Sequence, residues 1–246
     1  NREFQEINLS IAAFQNTIMR VRFSSVPVVV ATSGLTLGGG CEISMHADVV
    51  RAHTETYIGL VEAGVGIIPS GGGTKEMTLR TSDVYRKGDP ELNILMENFM
   101  TIATAKVATS SKEAVLMNLL RNTDKHTLSR SRLLSDAKKD VISLFEAGYT
   151  QKKERDDIKV QGKSGLAMFE AGIANMRFGN YISEHDKKIA QKIAYVMCGG
   201  DLSQPSFVSE RYLLELEREA VVSLCGEPKT LERMHGILFK RKTIRN

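Results

Sequence analysis

Two glutamates stand in glycine-shaped surroundings: Glu42 in Gly38-Gly39-Gly40-Cys41-Glu42, and Glu62 in Gly59-Leu60-Val61-Glu62-Ala63-Gly64. A carboxylate pair in one pocket can move protons on and off carbon. Repulsion raises the pKa of one partner, so an acid and a base coexist near neutral pH. The glycines add backbone N–H groups at the start of a helix. Such a donor stabilises negative charge developing on a carbonyl oxygen by about 3–4 kcal/mol. The plain alternative is a close-packed strand–helix turn whose N-terminal glutamate only complements the helix dipole.

These residues must be positioned by short alternating elements. Val28-Val29-Val30-Ala31 reads as a strand buried on both faces, Gly34 and Gly38–Gly40 as tight turns, and 41–46 as a helix. A second strand over 48–52 and a separate extended piece over 56–59 follow, then a loop from 64 to 73 and a helix over 74–80. The alternation indicates α/β organisation. Upstream, Phe4, Ile7, Ile11, Phe14, Ile18 and Val21 form one apolar stripe, which predicts a helix running from the first residue. With no initiator Met, that start suggests a truncated chain. Downstream, apolar spacing predicts helices over 92–104, 111–120, 133–148, 166–177, 184–198, 210–225 and 230–240. Ser183 and Asp186 make a capping-box-like start, Gly199-Gly200 a stop, and the polar stretch 150–165 reads as a solvated linker or extended arm.

Composition narrows the function classes. The chain has 246 residues, 42% of them hydrophobic, enough for one large domain or a domain with an appendage. No segment approaches the roughly 20 consecutive apolar residues that span a bilayer, so no membrane partner is expected. The formal charge of +4 is spread along the chain without aromatic-interleaved basic patches, which argues against nucleic acid. Cys41, Cys198 and Cys225 are widely spaced and suit a reducing compartment; no signal-peptide pattern opens the chain, and the expectation is a cytoplasmic protein. Cys41 reads as a small buried neighbour of Glu42 rather than a nucleophile, and His46, four residues after Glu42 on the same helix, as a helix-surface or packing residue rather than a pocket residue. The histidines show no metal-ligand spacing.

Two nucleotide motifs fail. Gly64-Val65-Gly66-Ile67-Ile68-Pro69 has Pro69 where a dinucleotide fingerprint needs its third glycine, and it leads into a loop. Gly71-Gly72-Gly73-Thr74-Lys75-Glu76 lacks the phosphate-loop spacing, and Lys75 precedes Glu rather than Ser or Thr.

The stretch from Pro27-Val28-Val29-Val30-Ala31 through Gly38-Gly39-Gly40-Cys41-Glu42 to Glu62, Gly66, Pro69 and Gly72-Gly73-Thr74 resembles the enoyl-CoA hydratase/isomerase (crotonase) superfamily. Further along, Phe99–Val107, Tyr195–Leu202 and Tyr212–Glu227 make the whole chain similar to the C-terminal part of bacterial bifunctional 3-hydroxyacyl-CoA dehydrogenases. The resemblance implies a partial crotonase-type ββα spiral over 1–125, followed by a helical extension over 126–246 that packs on the core or a partner domain. It implies fatty-acid β-oxidation, an acyl-CoA thioester as substrate, and water addition to a trans-2-enoyl-CoA. Glu42 and Glu62 would be catalytic, Gly39 an oxyanion donor, and Gly38, Gly40, Gly64 and Pro69 substrate-binding. Implied partners are the dehydrogenase domain of the same parent and a homo-oligomer. No cofactor is expected in this chain, NAD belonging to the dehydrogenase domain.

Two departures from the family pattern carry consequences. The second oxyanion N–H, by the family's spacing, falls before Asn1, so weak or absent hydration is expected of these residues alone. Asn118 stands where the family's A-x-x-x-G stretch has glycine. The long helical region motivates an alternative: a non-catalytic scaffold that docks the dehydrogenase domain or mediates oligomerisation.

Overall fold

A computed structural model describes residues 3–86 and 88–246. The expected helix start at residue 1 lies outside the described residues. From Glu3 onward, α1 (Phe4–Arg22) buries Gln15, Ile18 and Arg22. It leads into β1 (Val29–Leu37), α2 (Gly39–His46) and β2 (Val49–Gly59). The two strands pair in parallel from Val29 opposite Val49 to Leu37 opposite Gly59. β-Branched residues at 28–30, 49–50, 54, 56 and 58 suit this half-buried pleated surface.

Two expectations change here. The pieces over 48–52 and 56–59 are one continuous strand, and β1 runs well past residue 31. Gly34 forms no tight turn. It takes φ +64° at a register shift between Thr32 and Gly34, so the glycine bends a strand that stays paired.

Among the described residues, four helices separate β2 from the third strand: α3 (Glu62–Val65), α4 (Gly73–Val84), α5 (Glu91–Ala103) and α6 (Ser111–Leu116). Part of the expected 64–73 loop is therefore helical at its start. α6 stops four residues before the predicted limit because Asn118 adopts φ +59°. Asparagine is one of the few non-glycine residues that enters this conformation readily, so the departure from glycine preserves the turn. β3 (Lys125–Thr127), not anticipated, then pairs in parallel with β2 and completes a three-stranded sheet. It lies across the expected 125/126 boundary, and the next helix, α7 (Leu133–Glu146), packs on β1 and β2.

The stretch expected as a solvated linker or extended arm contains β4 (Ile158–Val160), whose Ile158 and Val160 are buried, and α8 (Gly162–Phe178) starts directly after it. β4 pairs antiparallel with β5 (Ser206–Val208). A three-residue strand with a partner so far along the chain leaves almost no periodic signal. The remaining helices, α9 (Glu184–Met197), α10 (Glu210–Cys225) and α11 (Pro228–Lys240), follow their predicted spans closely. Ser183 and Asp186 form the anticipated capping box at α9. One core unites these layers, from Cys41, Met45 and Ile58 beside the sheet to Phe99 against Phe169 and the inner face of α9. Among the described residues, no helix is long and apolar enough to cross a membrane.

Candidate active site

The two glutamates are carried by turns that leave the same, C-terminal end of the parallel strands β1 and β2, where Leu37 stands opposite Gly59. Gly38 takes φ +56°, and its N–H donates to the Gly59 carbonyl at 2.9 Å. A side chain there would begin 3.1 Å from Glu62 Oε1, so Gly38 gives Glu62 its place beside the start of α2. Gly39 is the first residue of α2, where backbone N–H groups lack intrahelical acceptors. Glu42 follows in the first turn and is buried. The Phe14 ring packs against Gly39 and Gly71, and a Cβ on Gly71 would meet both Phe14 Cε1 (2.4 Å) and Glu42 Oε2 (2.7 Å). Phe14 therefore walls the pocket, although in sequence it is only one member of an apolar stripe.

The carboxylates sit in unequal environments. Glu42 Oε1 accepts the N–H groups of Gly71 at 2.7 Å and Gly73 at 2.9 Å. Burial pushes Glu42 up to about 7, against those two donors and the Lys75 ammonium. Glu62 Oε2 is buried and, among the described residues, without a hydrogen-bond partner. Burial and then the charge of Glu42 push Glu62 up to about 8. Near neutral pH the donor-supported Glu42 is the better base and Glu62 the better acid, the two titrating as a pair. Burial, followed by the charges of both glutamates, drives the Cys41 thiol well up, so it stays protonated beside them.

These shifts make stability depend on pH with a definite sign. The folded chain holds protons on Glu42 and Glu62 that the unfolded chain has released above pH 4.5. Their contribution is fully present below 4.5 and is lost as pH rises through 7 to 8. Glu62→Gln removes a buried carboxylate with a bare oxygen. It is expected to raise the unfolding free energy at pH 8 by about 1–4 kcal/mol, with the gap closing towards the acid side. Urea unfolding at pH 8 and at pH 4.5, the ordinary glutamate value, checks this, and a variant less stable than wild type at pH 8 contradicts it.

Other predicted site residues lie further out. Gly40 accepts the Ser44 hydroxyl and packs near Thr36. Pro69 accepts the Thr74 hydroxyl and backs Gly73. Gly64 lines a cavity of about 140 Å³ behind the Glu62 turn, with Ala63, Phe99, Ala103, Tyr181 and Ile182. α11 holds that turn: Arg233 donates to the Ala63 carbonyl at 3.2 Å and Thr230 to the Gly66 carbonyl at 2.7 Å.

Behind α2 lies a buried ionic cluster that sequence reasoning missed. Lys75 Nζ is 2.9 Å from His46 Nε2, 3.1 Å from Glu76 and 2.9 Å from Glu210. Glu76 also meets Arg22 at 3.2 Å, Arg80 at 3.1 Å and Arg121 at 2.7 Å. Burial, then Lys75, hold the His46 imidazole well below its ordinary value. It is neutral, accepting from Lys75 at Nε2 and donating from Nδ1 to the Glu42 carbonyl at 2.7 Å. His46 is thus a packing residue, but it supports α2 at Glu42 itself. Residues 71–75 do not fit a nucleotide phosphate. The N–H groups of Gly71 and Gly73 are taken by Glu42, and those of Gly72 and Lys75 by Glu217.

Residues 2–82 match the enoyl-CoA hydratase/isomerase family. The chain is 44% identical over 243 residues, 99% of its length, to a protein of Bacillus subtilis named probable 3-hydroxyacyl-CoA dehydrogenase, of which it spans 30%. A 59-residue stretch, 24% of the chain, is 41% identical to the short-chain-enoyl-CoA hydratase of Clostridium acetobutylicum, covering 23% of that protein. The fold is similar to the crystal structure of an enoyl-CoA hydratase from Rhodobacter sphaeroides. The TM-score is 0.61 at 14% identity, over 99% of this chain and 69% of that one. Glu42 and Glu62 thus lie within the segment, residues 2–82, that matches the enoyl-CoA hydratase/isomerase family, on a fold similar to that of an enoyl-CoA hydratase.

Proposed function

We propose that this chain is the hydratase part of a fatty-acid β-oxidation protein and adds water to a trans-2-enoyl-CoA. The observation that carries the reading is the unequal pair: Glu42 with one oxygen on two N–H donors, and Glu62 with a buried oxygen that has no partner among the described residues. Ionised Glu42 takes a proton from water as the water oxygen bonds to C3. Protonated Glu62 gives its proton to C2. The electron pair of the double bond passes through the thioester oxygen, which Gly39 N–H stabilises at the start of α2. Transfer of the proton from Glu42 to Glu62 restores the starting state.

Gly38 and Gly40 keep the turn around the thioester free of side chains, while Gly64 and Pro69 shape the walls behind Glu62 and Gly73. The second oxyanion donor is assigned by resemblance to residues upstream of Asn1, so the 246 residues assayed alone are expected to turn over slowly. Acyl-CoA and a dehydrogenase domain of the same parent are the proposed partners, with NAD assigned to that domain. The helices after residue 90, which motivate the scaffold alternative, contribute α11 to holding the Glu62 turn and α10 to holding the 71–75 backbone that binds Glu42, and this favours the enzymatic reading.

Calorimetric titration of the full-length natural protein with a saturated acyl-CoA, which cannot be hydrated, tests the proposal. Saturable binding is expected. A folded protein that takes up no acyl-CoA would replace the proposal with the scaffold.

A further inference from the structure

Glu217 lies in the apolar stripe of α10, among Leu213, Leu214, Ala220, Val221 and Leu224, and is fully buried. A carboxylate in that place is costly unless partnered. Its Oε2 accepts the Gly72 N–H at 2.9 Å and its Oε1 the Lys75 N–H at 2.5 Å. These donors interleave along the chain with the Gly71 and Gly73 N–H groups that bind Glu42 Oε1. One stretch of backbone at the start of α4 is therefore gripped by two carboxylates, one from α2 and one from α10. The grip holds Gly72 at φ +95° and uses the N–H groups that a helix start leaves unpaired.

We propose that Glu217 is a positioning residue for Glu42. By fixing residues 71–75, it aims the Gly71 and Gly73 N–H groups at Glu42 Oε1. Among the described residues no hydrogen bond ends on Glu42 Oε2, which is left for the reacting water. The proposal rests on Glu42 being the base, and it makes a helix more than 140 residues along the chain part of the site. Burial and the charge of Glu42 both push Glu217 well up, consistent with two carboxylates close in one apolar region. Glu217→Ala leaves the Gly72 and Lys75 N–H groups buried without acceptors. Glu217→Gln keeps the shape and one acceptor oxygen.

A double-mutant cycle in the full-length natural protein tests this, using Glu42→Gln, Glu217→Ala, Glu217→Gln and the combined variants, with trans-2-enoyl-CoA hydration followed in kcat and KM. Misplacing a catalytic group by about 1 Å can cost on the order of 100-fold, so Glu217→Ala is expected to lower kcat by roughly 10–100-fold with KM within about threefold. Glu217→Gln is expected to lose less. In the Glu42→Gln background, further loss should stay within about threefold, because residues acting through one group are not additive.

Amide exchange over residues 69–77 gives an independent readout, expected to quicken in Glu217→Gln while the rest of the chain is unchanged. If Glu217→Ala does not fold, Glu217→Gln carries both measurements. Wild-type kcat, equal losses in both backgrounds, or unchanged exchange at 71–75 would each overturn the positioning role. Wild-type hydration by Glu42→Gln would instead remove Glu42 as the base, and the positioning role with it; intact impairment in Glu42→Gln alongside an unaffected Glu217→Ala removes only the latter.

Discussion

Glu62→Gln is expected to cut enoyl-CoA hydration by the full-length protein by about 10²–10⁴-fold, the span of positioned general acid catalysis. The substitution keeps volume and polarity, so the turn between Gly59 and Gly66 should stay intact, held by Arg233 and Thr230. What is lost is the exchangeable proton held near pH 8 by burial and by the charge of Glu42. The loss should fall on kcat, with KM little changed, because the proton is delivered only in the transition state. The pH profile sharpens the expectation. In the wild type, kcat/KM should rise as the pair loses its first proton near 7 and fall as it loses the second near 8. The variant should keep the acid limb and lose the alkaline one. Wild-type turnover, or an unaltered alkaline limb, would remove Glu62 from the mechanism.

The largest stability effect is expected at Glu76. This carboxylate is fully buried and meets Lys75, Arg22, Arg80 and Arg121. Burial alone would raise its pKa, but Lys75, Arg22 and Arg80 outweigh it and hold the group well below the ordinary carboxylate range. Its contribution is present above pH 4.5 and lost as pH falls through that lowered value, the opposite sign to the Glu42 and Glu62 pair. Removing one partner of a buried ionic cluster strands the others, so Glu76→Ala should cost about 3–5 kcal/mol. For a chain of this length that corresponds to a Tm lower by roughly 6–20 °C. Glu154→Ala is the control: its pair with Arg211 is exposed and 3.7 Å long, and is expected to matter by less than about 1 kcal/mol. A Glu76→Ala protein melting within about 2 °C of wild type, far inside that range, would show that the cluster does not hold α1, α4 and α10 together.

How far the site is legible in the sequence depends on the distance over which each residue finds its partner. Glu42, Glu62 and the Gly38–Gly40 run announce themselves because their constraints are local: a left-handed glycine, a helix start, an acid in the first turn. The helices α9, α10 and α11 are legible from their apolar period. Gly34 is misread because whether a glycine makes a turn or a bulge is decided by β2, a strand away. β4 is missed because its partner β5 lies nearly 50 residues on. The cluster around Lys75 is missed because its members come from residues 22, 46, 75, 76, 80, 121 and 210, too far apart along the chain for any local pattern to join them.

Glu217 is the instructive case. It left a signal, a carboxylate in the apolar stripe of α10, and an acid at such a position has to find donors somewhere. The sequence has no means of saying that the donors are the backbone of Gly72 and Lys75. Gly71–Gly73, which fails as a phosphate loop, is the strip of N–H groups that two buried acids share.

The central proposal, that the Glu42 and Glu62 pair adds water across an enoyl thioester, is tested most directly by running the full-length protein with trans-2-enoyl-CoA in ¹⁸O-labelled water. Mass spectrometry of the product is expected to show one ¹⁸O in a 3-hydroxyacyl chain, formed about 10²–10⁴-fold more slowly by Glu62→Gln. A double bond that migrates without uptake of ¹⁸O, or label uptake that persists undiminished in Glu62→Gln, would contradict it.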